Sequence, residues 1–328
     1  MFKNIAIIGS GSWATALVKI FSESEMYVSW VVRSKEQAEY IRLNKRNPRY
    51  LSYADLDLDF IRPTDSLEEA ILHAQLIIFA APSAYLTDIV QFIDKEWLHN
   101  KAIAVSIKGI IPSSGSTPGL YLHKYFDLKD PVMVIAGPCH AEEIAIKRNT
   151  YVTIAGEDPF WVNKISDSLS VSYIRTVINN DPVGVEYVSI LKNIIGIATG
   201  IASGLHYGEN FQAVLVSNAM REVDKFLSCI QANRSLYDSV YFGDLLVTAY
   251  SGFSRNRTLG KLIGRGIHVN QALQAMEMVA EGYNASKELA PMIDDLKITL
   301  PVINSLYRIM HQHASPFHEF KLLEQQLY

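Results

Sequence analysis

The chain has 328 residues, 49% of them hydrophobic and 20% charged, the balance of a globular protein with a sizeable buried interior and too long for one ordinary core, so two domains are expected. Its formal net charge of -4 and its lack of a clustered basic stretch argue against a nucleic-acid partner, because a phosphate backbone is held by grouped Lys and Arg. Two cysteines, Cys139 and Cys229, are too few for a disulfide framework or a thiolate metal site, so a reducing compartment and no metal are expected.

The chain begins MFKNIAIIGSGSWATAL. Its apolar run starts almost at the terminus without a positive leader or a small-residue cleavage site, so no targeting signal is expected. NIAIIG reads as a buried strand, and Gly9, Ser10, Gly11, Ser12, Trp13 and Ala14 follow it at the start of a helical pattern. Strand, glycine turn and helix in this order bind a dinucleotide pyrophosphate. Gly9 permits the tight turn and Gly11 lets backbone N–H groups approach the phosphates. The third position need only be small, which Ala14 is. The next strand, YVSWVV, lacks the carboxylate that would hold a ribose 2′-hydroxyl and is followed instead by Arg33. A guanidinium there suits a 2′-phosphate, which tilts the expectation toward NADP over NAD; the alternative is a solvated surface residue.

LIIFAAP, AIAVSIKG, VMVIAG, YVTIAG and SYIRTV continue as strands, with helical spacing at 34–44, 66–73 and 84–95 among them. This rhythm is that of a doubly wound parallel sheet in an α/β fold. Ligands of such sheets bind beyond the carboxyl ends of the strands. Pro82, Lys108 in SIKG and the turn GPCHAEE stand there. The Lys108 ammonium would suit an anionic substrate, and the free N–H groups of the strand-to-helix turn at Gly137 and Pro138 suit an anion or a polarised oxygen. His140 has no identifiable Asp or Ser to pair with and reads as packing or helix-start polarity.

From about Asp181 the alternation stops, so Asp181-Pro182 is the expected boundary between residues 1–180 and a helical part, 181–328, with breaks at GLHYGEN, SGFSRN and ELAP. VSILKNIIGIATGIASG, residues 188–204, resembles a membrane span, yet Lys192 and Asn193 lie inside it, and a central lysine costs about 2.5–3.5 kcal/mol on insertion scales. A buried helix without membrane insertion is the better reading. Gly196, Gly200 and Gly204 then share one face and let another backbone come close. Lys192 among Ile190, Leu191, Ile194 and Ile195 either snorkels to the surface or is costly to bury. Desolvation and a cationic neighbour would lower its pKa from about 10.4 toward a range useful in acid–base work. Asp244 falls at a turn, and Ser254, Arg255 and Asn256 at a helix start, where hydroxyl, guanidinium and amide donors make a phosphate cradle; singly, each also fits a polar side chain turned to water.

GSGSWATAL, SIKG, GPCHAEE, LKNIIGIATGIASGLHYGEN, GDLLVTAYSGFSRNR, LIGRG and VAEGY, in this order from end to end, resemble the soluble bacterial-type NAD(P)-dependent glycerol-3-phosphate dehydrogenases. The resemblance implies an N-terminal Rossmann-like doubly wound parallel sheet followed by an all-α C-terminal domain. It implies reversible hydride transfer from NAD(P)H to dihydroxyacetone phosphate, giving sn-glycerol 3-phosphate for glycerophospholipid synthesis in the cytoplasm. Lys192 is then the proton acceptor in the oxidation direction, and Asp244 orients substrate hydroxyls and tunes it. Lys108 touches both substrate and cofactor. Arg255 and Asn256 match the phosphate-binding pair, with Ser254, Gly137 and Cys139 at substrate positions. Gly9, Ser10, Gly11, Ser12, Trp13, Arg33, Ala141, Arg255, Val279 and Glu281 fall at cofactor positions. A homodimer is expected from family habit and from the glycine-rich helix. Cys139 replaces a common serine or threonine, Gln212 a frequent lysine or arginine, and Asn218 an arginine, while Val32 stands where many relatives have a first arginine. Rival readings are another phospho-sugar or 3-hydroxyacid dehydrogenase and a non-catalytic dinucleotide sensor.

Overall fold

The computed structural model describes residues 1–112, 114–231, 234–276 and 278–328. They form two compact units: Met1–Ile107 with Pro118–Glu186, and Lys108–Thr117 with Tyr187–Tyr328. The division falls inside the helix Pro182–Gly204, five residues beyond the Asp181-Pro182 step. The segment starting at Lys108 groups with the helical unit, where Asn193 Nδ2 donates to the Lys108 carbonyl at 2.6 Å.

The first unit is built on strands β1 (Asn4–Ile8), β2 (Tyr27–Val31), β3 (Ile61–Thr64), β4 (Leu76–Phe79), β5 (Ala102–Val105), β6 (Met133–Ala136), β7 (Thr150–Ala155) and β8 (Ile174–Asn179), in the sheet order β3-β2-β1-β4-β5-β6-β7-β8. The seven apolar runs read as strands correspond to β1, β2 and β4 to β8. Consecutive residues of β1 from Ile5 to Ile8 are all buried, as expected where helices cover both faces of a parallel sheet. β3 escaped the pattern because Pro63 stands inside it; that proline is tolerated on an edge strand, which β3 is. One pairing departs from the parallel expectation: β7 runs antiparallel to β6, with Val134 opposite Ala155 and Ala136 opposite Thr153. Only a five-residue helix, Ala141–Ala145, lies between them, too short to serve as a parallel crossover.

Helices Lys35–Asn44 and Leu67–His73 start where Ser34 and Ser66 accept from Gln37 N (3.3 Å) and Glu69 N (3.1 Å), the usual way a serine satisfies an orphan amide. The expected helix at 84–95 is broken into Ser83–Tyr85, Leu86–Val90 and a later turn at Lys95–Leu98. Asp94 starts that last turn by accepting from Glu96 N at 3.0 Å, a local bond that competes with continuing the helix.

The second unit carries the helices Glu209–Ile230, Asp244–Tyr250, Arg255–Gly264, Val269–Gln274, Glu281–Asp295, Pro301–His311, Pro316–Leu323 and the body of Pro182–Gly204. The apolar window of this last helix is buried along its whole length. The breaks at GLHYGEN and SGFSRN are present, but ELAP is not a break: helix Glu281–Asp295 runs through Pro291. Pro291 is exposed while Ala285, Leu289 and Ile293 are buried, so the ring and the carbonyl it frees face water and the buried stripe is uninterrupted.

Glu222, 6% exposed on helix Glu209–Ile230, accepts from Val302 N (2.6 Å) and Ile303 N (3.1 Å) at the start of helix Pro301–His311. Burial outweighs these bonds and pushes its pKa from 4.5 up to about 7. A carboxyl whose pKa is raised on folding contributes stability that is full below the unfolded value and lost as pH rises through the folded value. That displacement amounts to about 3 kcal/mol. Glu222→Gln is therefore expected to flatten the part of the Tm–pH curve between about pH 5 and about pH 8 that this group supplies. Thermal melts of both proteins across that range check it, and equal slopes would contradict it.

Candidate active site

At the end of β1 the backbone of Gly9 has φ +137°, and a Cβ there would lie 2.6 Å from the Ala80 carbonyl oxygen, so only glycine fits. At Gly11 an added Cβ would meet nothing within 4 Å, leaving the approach open. Trp30 Nε1 donates to the Gly9 carbonyl (2.7 Å), Asn47 Nδ2 to the Ser10 carbonyl (3.1 Å), and Thr15 to the Gly11 carbonyl through N (3.0 Å) and Oγ1 (2.9 Å). Three successive carbonyls are thus engaged by donors of the same unit. Helix Ser12–Glu23 starts from Gly11 with no side-chain cap and no acidic residue in its first turn, so its positive end suits an anion. Trp13 Nε1 donates to Ser106 Oγ (2.6 Å), which donates to the Ile135 carbonyl (2.6 Å), fixing the indole. Ser12 and Ala14 are buried. Arg33 is exposed beyond β2, its N–H on Gln37 Oε1 at 3.3 Å, and Val32 is buried. A turn that fits only glycine at its first position and aims a helix N-terminus past an open Gly11 fits a dinucleotide.

Gly137, at φ +116°, would put a Cβ 3.0 Å from the Tyr151 carbonyl oxygen. Cys139 is buried and its Sγ–H donates to the Gly137 carbonyl at 3.0 Å. Ala141 is buried at the start of the short helix for which His140 is the N-cap. Five residues give this helix little dipole, so any anion there would rely on local backbone N–H groups.

In the helical unit Lys192 does not snorkel. Its side chain and that of Asp244 are each 3% exposed, and Nζ pairs with Asp244 Oδ2. The partner that offsets the burial of an ammonium is therefore the aspartate read at a turn, here the first residue of helix Asp244–Tyr250. Asn193 continues the site: its Nδ2 donates to the Lys108 carbonyl, and its Oδ1 accepts from Asn256 Nδ2 at 2.9 Å. Asn256 Oδ1 accepts from Gly282 N at 3.0 Å. A Cβ at Gly282 would fall 2.5 Å from the Asn193 carbonyl oxygen, which accounts for the glycine in VAEGY. Lys108, Asn193, Asn256 and Gly282 thus form one bonded chain beside Lys192. Val279 is exposed just before it, and Glu281 opens helix Glu281–Asp295.

Ser254 is the buried N-cap of helix Arg255–Gly264, accepting from Arg257 N at 3.3 Å. Arg255 follows, half-buried, and its guanidinium has no partner among the described residues. An unpartnered guanidinium at a helix start with no acid in the first turn is suited to phosphate. Gln212 Nε2 and Asn218 Nδ2, the two amides that depart from the family pattern, donate to the backbone of Tyr207 (3.1 Å) and of Val214 and Tyr328 (2.9 Å each).

Sequence reasoning missed Asn193, Asn47, Trp30 and Thr15. Asn193 left a signal, a second polar residue beside Lys192 in an apolar helix, and Thr15 stands one helical turn after Gly11; Trp30 and Asn47 lie 21 and 37 positions from the carbonyls they hold, and no spacing links them. Among the described residues no group of three or more His, Cys, Asp or Glu could hold a metal ion.

The model of the NAD-dependent glycerol-3-phosphate dehydrogenase N-terminus matches residues 4–161, and that of the C-terminus residues 181–321. Glycerol-3-phosphate dehydrogenase [NAD(P)+] of Clostridium botulinum (strain Alaska E43 / Type E3) is 32% identical over 95% of this chain and 94% of its own length. The protein of that name from Macrococcus caseolyticus is 31% identical over 94% and 93%. The crystal structure of glycerol-3-phosphate dehydrogenase from Coxiella burnetii superposes with a TM-score of 0.91 at 25% identity, covering 98% of each chain. With both its halves matched and the glycine turn intact, the chain is an NAD(P)-dependent oxidoreductase that belongs to the NAD-dependent glycerol-3-phosphate dehydrogenase family.

Proposed function

We propose that this enzyme catalyses reversible hydride transfer between NAD(P)H and C2 of dihydroxyacetone phosphate, forming sn-glycerol 3-phosphate for glycerophospholipid synthesis. The observation that carries the reading is the buried Lys192–Asp244 pair standing next to the Lys108–Asn193–Asn256–Gly282 chain. Bound NAD(P)H supplies the hydride from its nicotinamide ring. In reduction Lys192 Nζ gives its proton to the carbonyl oxygen as negative charge develops there, and in oxidation it takes the proton back. Asp244 orients Lys192 Nζ and accepts from a substrate hydroxyl. Arg255 holds the phosphate, with backbone N–H groups of the first helical turn, including that of Asn256, and Ser254 as its N-cap. That remote binding energy serves to align C2. Gly137 and Cys139 lie at substrate positions through their backbone, and Lys108 contacts substrate and cofactor alike.

Ser10, Gly11, Ser12 and Trp13 would hold the pyrophosphate, with Ala141, Val279 and Glu281 completing the nucleotide contacts. Arg33 favours NADP by meeting the 2′-phosphate with a charge-assisted bond. With dihydroxyacetone phosphate as substrate, the ratio of kcat/KM for NADPH over NADH is expected to fall about tenfold in Arg33→Ala, the size of one such bond. An unchanged ratio removes that role from Arg33. The enzyme is proposed to work as a cytoplasmic homodimer without inserting in a membrane; a solution mass of one chain would contradict the dimer.

A further inference from the structure

We infer that Asn47 is a positioning residue for the nucleotide, acting through the carbonyls of Ser10 and Gly11. Its side chain is fully buried, at 0% exposure, and makes four bonds. Nδ2 donates to the Ser10 carbonyl (3.1 Å) and to Thr15 Oγ1 (2.8 Å), while Oδ1 accepts from Arg49 N (3.0 Å) and Tyr50 N (3.2 Å). Thr15 Oγ1 passes the restraint on by donating to the Gly11 carbonyl at 2.9 Å. One carboxamide is therefore tied to two successive peptide planes of the glycine turn, to the first directly and to the second through a hydroxyl that adds to the Thr15 N–H bond on the same carbonyl.

The consequence follows from peptide geometry. In a trans peptide the N–H points opposite to the C=O, so holding the Ser10 and Gly11 carbonyls toward Asn47 and Thr15 turns the N–H groups of Gly11 and Ser12 the other way. Gly11 is the glycine at which an added Cβ meets nothing within 4 Å. The turn is thus ordered during folding, and binding a pyrophosphate need not supply that ordering. The two halves of the amide have separable work. The oxygen shapes the loop containing Arg49 and Tyr50, and the nitrogen fixes the glycine turn.

Asn47→Asp keeps an acceptor for Arg49 and Tyr50 but removes both donors and sets a carboxylate against the Ser10 carbonyl. The inference rests on the NAD(P) site proposed above, and its test needs no turnover: NADPH is titrated into the purified protein by quenching of tryptophan fluorescence. Asn47→Asp is expected to raise the Kd for NADPH about tenfold or more, the scale for a buried donor pair lost. Its kcat at saturating NADPH, and its KM for dihydroxyacetone phosphate measured there, stay within about threefold of wild type. Thr15→Val, which breaks only the second link, raises the Kd by a smaller factor, Thr15→Ser restores it, and exposed Asn44→Ala leaves it unchanged. Thr15→Val and Thr15→Ser alone decide the matter should Asn47→Asp fail to fold. A wild-type Kd in folded Asn47→Asp or Thr15→Val overturns the inference. So does a fall in kcat at saturating NADPH as large as the rise in Kd, which would mark general disruption. Absence of dihydroxyacetone phosphate turnover with the Kd effects intact would sink the substrate reading and leave the role of Asn47 standing.

Discussion

Lys192→Met is expected to lower kcat for reduction of dihydroxyacetone phosphate by about 10³-fold, the middle of the range for losing a positioned proton donor, with NADPH binding nearly unchanged. Methionine keeps the length and apolar stem of lysine, so the loss is of the ammonium and not of volume. The same change leaves the Asp244 carboxylate buried without its partner, which costs about 3–5 kcal/mol of stability. Folding and chemistry must therefore be separated. In Lys192→Met/Asp244→Leu the stranded charge is gone, and replacement of a buried ion pair by apolar side chains is often neutral or stabilising. The double variant is expected to melt close to wild type and to remain inactive. Steady-state kinetics, NADPH titration and thermal melts on the three proteins check this. A single variant within about tenfold of wild-type kcat would show that another group moves the proton.

Gly200→Ala is expected to be among the most damaging single-methyl additions in the helical unit. The glycine face of helix Pro182–Gly204 packs directly on helix Arg255–Gly264. A Cβ on Gly200 would run into the Arg257 carbonyl oxygen, and one on Gly204 would sit 2.6 Å from that of Lys261. The contact is reciprocal, because a Cβ on Gly260 or Gly264 would meet the Ile197 or Ile201 carbonyl. Alanine brings a gain of about 1 kcal/mol in helix propensity. The obstacle is backbone on both sides, which no rotamer relieves, so the helices must part; overpacking of this kind costs about 1–3 kcal/mol or more. The clash wins. A net loss of about 2 kcal/mol lowers Tm by roughly 4–8 °C for a unit of this size, whereas Gly252→Ala, where a Cβ meets nothing within 4 Å, should stay within about 0.5 kcal/mol. Separation of the helices would also displace Ser254, Arg255 and Asn256, so KM for the phosphorylated substrate should rise. A Gly200→Ala protein as stable as wild type would contradict the packing account.

What could be read from the sequence was mostly local. The strand, glycine turn and helix at residues 4–23 declared themselves because each step depends on neighbours, and Lys192 was conspicuous as a charge in an apolar helix. The glycine stripe announced a close backbone but not whose. Its partner is helix Arg255–Gly264 of the same chain, so the stripe lends no support to the expected dimer. The direction of β7 was hidden because it depends on how far the connection after β6 can reach. The helix through Pro291 was hidden because tolerance depends on which side the ring faces. Asn193 and Asn47 act on residues 85 and 37 positions away, and their use emerges only once the chain is folded.

The proposed chemistry requires Lys192 and its partners to serve a phosphorylated ketone. The most direct measurement mixes the preformed NADPH complex of the wild-type protein with dihydroxyacetone phosphate and follows the nicotinamide absorbance. Loss of that absorbance with appearance of sn-glycerol 3-phosphate, abolished in Lys192→Met although NADPH is still bound, is the required result. A complex that holds NADPH and does not oxidise it when the ketone is added would contradict it.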